Sequence, residues 1–209
     1  QTADEWYPAY GDVAYNLTLA ARRMGSLETV REYVDHALEM RPHDVRPLVL
    51  KAQIQLQDDG RLEALGTARE AIRAFPNEAR AQRLVISSLD LLGRFQEAIS
   101  QGESYLERDP PDDEKIRTHQ MLGDFYSEML KEPAKAKTHY QKAVELMEPG
   151  HRRNKLAEKV TRLEKQVENR RLMREGKPPK HKDVMPEKKG GPKGPPGMPK
   201  VPKMPREKQ

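Results

Sequence analysis

A chain of 209 residues that is 34% charged, 35% hydrophobic and 5% aromatic, with 17 prolines and 13 glycines, is too poor in apolar side chains for one compact domain of its length. The absence of cysteine excludes disulfides, thiolate zinc sites and iron–sulfur ligation, and no run approaches the roughly 18 apolar residues of a membrane span. The net charge of +5 hides a gradient: residues 1–149 hold 19 Lys and Arg against 26 Asp and Glu, whereas 150–173 hold 8 against 3 and 174–209 hold 11 against 4.

The chain opens on Gln1-Thr2-Ala3 rather than Met, which reads as a processed product or a fragment. Its compartment stays open: cytoplasmic, or periplasmic or secreted after loss of a signal or anchor. Residues 1–10 form an aromatic N-terminal segment, in which Trp6, Tyr7 and Tyr10 are candidate interface anchors or a cover for the first repeat.

Proline then sets a period. Pro42, Pro76 and Pro110 stand 34 residues apart, the length of a helix-turn-helix unit. Gly25 and Gly93 fall at matching places before them, as do Val30 and Ala98. A further copy runs through Leu122-Gly123-Asp124-Phe125-Tyr126, Ala136, Tyr140 and Ala143 to Pro149, with one extra residue expected in its turn near Lys131-Glu132-Pro133. In 95–106, Phe95, Ala98, Ile99, Tyr105 and Leu106 recur at helical spacing, and no alternation of the strand kind is sustained. The expected fold is an all-α solenoid over 11–150, in units 11–44, 45–78, 79–112 and 116–150, where neighbouring hairpins supply the core that each lacks alone.

These landmarks resemble the tetratricopeptide repeat family, with its small residue in helix A, Gly at the turn, Ala and an aromatic on helix B, and a closing Pro. The segments 93–110 and 134–149 carry the likeness best, while Gln55 stands at an aromatic position and Asp58-Asp59-Gly60 reads as one residue long. The resemblance implies a non-enzymatic scaffold whose A helices line a groove for protein partners. It places Arg46, Arg80 and Arg117 at the second position of helix A, with Arg83 one turn beyond Arg80 and Gln53, Ser87 and Gln120 nearby. Such a column suits an acidic or C-terminal peptide, because guanidinium groups fork onto carboxylates; the other reading is solvated arginines opposed by Asp90, Asp124 and Glu128. Tyr15 and Leu19 occupy the first-repeat positions where some members carry a carboxylate-clamping Lys/Asn set, so that activity is not implied.

Leu156, Val160, Leu163 and Val167 give 151–173 a narrow apolar seam on a basic helix, expected to cap the last repeat, or else to pair as a short coiled coil. Nine prolines and five glycines make 174–209 an extended tail, disordered or partner-bound, with Met198, Val201 and Met204 as apolar docking knobs. The six histidines, at 36, 43, 119, 139, 151 and 181, show no metal spacing and read as surface or groove residues; no cofactor or metal is expected. The functional expectation is a subunit that recruits or stabilises partners in a larger, possibly membrane-associated, assembly. Nucleic acid is disfavoured by the acidic body. An RNA- or ribosome-associated protein using 151–173 and the tail is the alternative.

Overall fold

A computed structural model describes residues 27–185, and the first unit's A helix, the aromatic anchors and the tail knobs lie outside them. Eight α-helices follow one another: α1 (Leu27–Met40), α2 (Val45–Gln57), α3 (Arg61–Ala74), α4 (Ala79–Leu91), α5 (Phe95–Leu106), α6 (Asp112–Asp124), α7 (Pro133–Leu146) and α8 (His151–Arg174). Each packs on the next, and α2 also touches α4, so A helices (α2, α4, α6) stack beside B helices (α1, α3, α5, α7). The fold is an all-α helix-turn-helix solenoid. None of these helices is long and apolar enough to cross a membrane.

Short polar side chains start the helices. Asp44 caps α2 by accepting from the Arg46 amide, and Glu78 caps α4 by accepting from the Arg80 amide. Pro133, whose missing N–H costs nothing at a helix start, opens α7. Within each hairpin the chain reverses through one residue at positive φ. Gly93 serves at +71° and Asp59 at +63°, 34 residues apart. The second unit is therefore in register rather than one residue long: Asp59 takes the left-handed position, and Gly60 is the N-cap of α3.

The last hairpin departs from the period inside a helix. Buried Ala81, Gln82, Val85, Ile86, Ser88 and Leu89 of α4 match buried Thr118, His119, Leu122, Gly123, Phe125 and Tyr126, an offset of 37. The offset exceeds the period of 34 by three residues, which extend α6 backward by a turn, and the one extra residue expected near Lys131 sits instead in a π turn, Phe125–Met129. A single insertion in a helix is accommodated by widening one turn, so the flanking faces keep their partners.

The core repeats likewise. Val30, Val34 and Ala37 of α1, Ala64, Ala68 and Ala71 of α3, Ala98, Gly102 and Tyr105 of α5, and Ala136, Tyr140 and Ala143 of α7 are the same three places on successive B helices, all buried. Small residues there let A helices approach closely, a Cβ on Gly102 of α5 lying 3.0 Å from Leu122 of α6; where the B-helix place holds Tyr140, the A helix supplies the small residue instead, and a Cβ on Gly123 of α6 would lie 2.6 Å from its ring. At the end of the stack, Leu156 and Leu163 of α8 join Ala136, Tyr140 and Ala143 in one cluster, with Val144, Met147 and Val160 packed against it.

Past Arg174 the chain does not simply extend. Gly176, at φ +72°, turns it back along α8. Asn169, 3% exposed, accepts from the Lys180 and His181 amides at 3.0 and 2.9 Å and donates to the His181 carbonyl. Val184 is buried, Glu168 bonds His181, and Lys165 pairs with Asp183 at 2.8 Å. The first part of the expected tail is thus a strap held on α8 by a buried amide, which satisfies the strap backbone as a neighbouring strand would.

Candidate interaction groove

The inner face of the A helices begins with arginines. Arg46 is exposed on α2, yet its guanidinium folds onto its own cap, bonding both Asp44 oxygens at 2.8 and 3.2 Å. Burial alone would raise the Asp44 carboxyl, but the bonds from Arg46 and the charge of Arg41 outweigh it and hold it below the usual carboxylate range. Arg80 is exposed at the matching place on α4. Arg83, one turn on, forks onto Glu114 of α6, which is only 8% exposed, and Arg117 stands 3.9 Å from the same carboxylate.

Glu114 belongs to the added first turn of α6. That turn thus supplies the anion that compensates two groove arginines, and Arg117 keeps the register of Arg80 because the offset of 37 joins them. Gln53 and Ser87 are half-buried on α2 and α4, and Gln120 of α6 lies against the Met147 sulfur at 3.9 Å. Among the four arginines, Arg46, Arg83 and Arg117 are therefore wholly or partly engaged within the chain.

The face continues onto α8, whose sequence carries an apolar capping or coiled-coil seam and a basic exterior. Gln120 and Asp124 of α6, Tyr140 of α7, and Arg152, Lys155, Lys159 and Arg162 of α8 line one cleft. Asp124 accepts from the Tyr140 hydroxyl at 2.6 Å and from Lys159 at 2.8 Å, and the Lys159 ammonium sits 4.4 Å above the Tyr140 ring. Burial first, then the bond to Asp124, push the Tyr140 hydroxyl well above the ordinary phenol range. Arg152 is the second residue of α8, as Arg46 is of α2 and Arg80 of α4, and Lys155, Lys159 and Arg162 follow it at steps of three and four, a basic column visible in the sequence at helical spacing.

Two of the histidines expected at the surface or in the groove pack between helices. His119, 8% exposed, and the half-buried His139 face each other between α6 and α7 with Nδ1 atoms 3.1 Å apart, and Tyr126 stacks on His139 while donating to Glu103. One ring must donate and the other accept, so the pair holds together neutral. Burial, then the charges of His139 and Lys142, bring His119 down to about 4; burial also lowers His139. His119 falls at the core place of Gln82, which explains its position. His36, His43 and His151 are exposed.

No family model matches the chain, and no curated protein matches it. Solved structures do. A MamA structure (AMB-1) superposes with a TM-score of 0.55 at 25% identity, over 68% of this chain and 75% of that one. PilF of Pseudomonas aeruginosa gives 0.62 at 19% over 81% and 71%, and a tetratricopeptide repeat protein from Parabacteroides merdae gives 0.62 at 15% over 79% and 67%. With helix pairs at a 34-residue step, small residues at matching places on each B helix and these neighbours, the chain has the fold of the tetratricopeptide-repeat solenoids.

Proposed function

We propose that this protein is a non-catalytic interaction scaffold whose A-helix face receives an extended acidic or C-terminal segment of a partner within a larger assembly. The observation that carries the reading is the shared register of Arg80 and Arg117: two exposed cations at one repeat position on neighbouring helices, with no part in the core. An extended ligand lying across the A helices meets them in succession, and each fork onto a carboxylate fixes both distance and plane. The segment after the strap, with Met198, Val201 and Met204 outside the described residues, serves as a second linked contact that raises avidity.

Replacing Arg80 and Arg117 together by Glu should reduce the recovery of partners cross-linked to the chain in its own cell, at unchanged helicity by circular dichroism. Undiminished recovery removes the groove from the account. Truncation after Met185 should leave the melting temperature unchanged and lower recovery further.

A further inference from the structure

The arginines that the repeat pattern singles out are not the least compensated cations on this face. Arg46 is bonded to Asp44, Arg83 to Glu114, and Arg117 stands beside that same carboxylate. On α8 the balance differs. Lys159 is committed to Asp124, but Arg152, Lys155 and Arg162, all exposed, enter no ion pair among the described residues. They line the cleft with Gln120, and Glu158 is its other acidic member besides Asp124.

We infer that the cleft between α6 and α8 is a recognition site for the carboxylates of an extended acidic protein segment, read by Arg152, Lys155 and Arg162 with Gln120 pairing to the segment's backbone. This rests on the scaffold reading and names the part of the groove that selects the partner. The three cations lie at steps of three and seven on one side of α8 and span about 15 Å at 1.5 Å per residue. An extended peptide covers that distance in about five residues, with alternate side chains on one side, so acidic residues at every second position meet the three cations in turn. Each pair alone contributes little at an exposed surface. Three uncompensated cations beside low-dielectric walls act together, raising the local concentration of an anionic segment.

Charge complementarity also favours protein over nucleic acid. Asp124 and Glu158 sit in the cleft, where a continuous phosphate backbone meets them and a peptide presents neutral residues to them. The ring of Tyr140, 1% exposed and covered by Lys159, is no platform for base stacking. The amide of Gln120 donates and accepts as a peptide group does, which suits a backbone partner.

The test uses the full 209-residue chain and fluorescein-labelled (Glu-Gly)4, with (Gln-Gly)4 and a single-stranded RNA 12-mer as comparisons, by fluorescence anisotropy at about 0.15 M salt. Replacing Arg152, Lys155 and Arg162 by Gln should weaken (Glu-Gly)4 binding at least tenfold. Removing the same charge at Arg171, Arg174 and Lys177, at the far end of α8, should change it less than twofold. Equal losses from the two triple variants, or no measurable binding by the parent chain, overturn the inference. Tighter binding of the RNA, with the same dependence on the three residues, overturns it in favour of nucleic acid. If the Arg80→Glu, Arg117→Glu pair abolishes binding while the cleft variant keeps it, the scaffold reading stands and this one falls; if neither variant matters, both fall.

Discussion

Replacing Gly123 by Ala reverses the usual sign of a helix substitution. In an ordinary helix interior alanine is favoured over glycine by about 1 kcal/mol, because glycine has more backbone freedom to lose. Gly66, inside α3, is such a place: a Cβ there meets nothing within 4 Å, so Gly66→Ala should stabilise by about 0.5–1 kcal/mol. At Gly123 the added Cβ would stand 2.6, 2.7 and 2.8 Å from three atoms of the Tyr140 ring. Carbon atoms rest at about 3.5–4.0 Å, so about 1 Å must be found by parting α6 from α7 or turning the ring. Turning is resisted, since the ring is buried under Lys159 and its hydroxyl is bonded to Asp124, one residue along from Gly123. Overpacking of this kind costs about 1–3 kcal/mol. Urea unfolding followed by far-ultraviolet circular dichroism separates the two variants, and thermal midpoints should move by about 2–4 °C per kcal/mol for a chain of this size. In a Tyr140→Leu background most of the Gly123→Ala penalty should vanish. A Gly123→Ala protein as stable as the Gly66→Ala protein refutes the close-approach argument.

The neutral histidine pair gives the fold a pH dependence. The unfolded chain takes up protons near pH 6.5, whereas folded His119 resists until about 4 and burial lowers His139 as well, so stability is full above pH 6.5 and falls as the pH drops, by up to about 3 kcal/mol for His119; denaturation midpoints at pH 7 and 5 should converge in a His119→Gln variant. Leu163→Ala, which empties the α7–α8 seam, should cost about 2–5 kcal/mol in the same assay. Asn169→Leu should free the strap and leave the solenoid intact, read as rapid tryptic cleavage at Lys180 and Lys182 with an unchanged unfolding midpoint; equal cleavage rates would count against the amide as the strap's fastening.

The helix-turn-helix stack was legible because its punctuation is local. Proline at 42, 76 and 110 and small residues at 64, 98 and 136 are each forced by one backbone position or one close contact, and such constraints survive as residue types. The turn at Asp59 was misread because glycine is the expected left-handed residue, and Gly60 next to it drew the register one place along. The extra residue of the last unit was counted correctly but placed in the turn, since an insertion in a π turn and one in a loop lengthen the chain equally. Arg80 and Arg117 were found by phase. The compensation of Arg117 and Arg83 was not, because Glu114 lies in a helical turn that has no equivalent in the other units. His119 and Asn169 are polar residues among polar neighbours, and only their partners reveal that they are buried.

The strap alters where the chain's remaining length is tethered. Asp183, beside the buried Val184, pairs with Lys165, about 14 Å back along α8 from Arg174 at 1.5 Å per residue. Residues 186–209 therefore set out from the middle of α8 instead of from its far tip. An anchor moved toward the cleft shortens the span between the end of the strap and anything bound there, and a shorter span raises the effective concentration at which a tethered contact is made. The buried amide of Asn169, helped by the Lys165–Asp183 and Glu168–His181 pairs, thus decides where along α8 the chain departs.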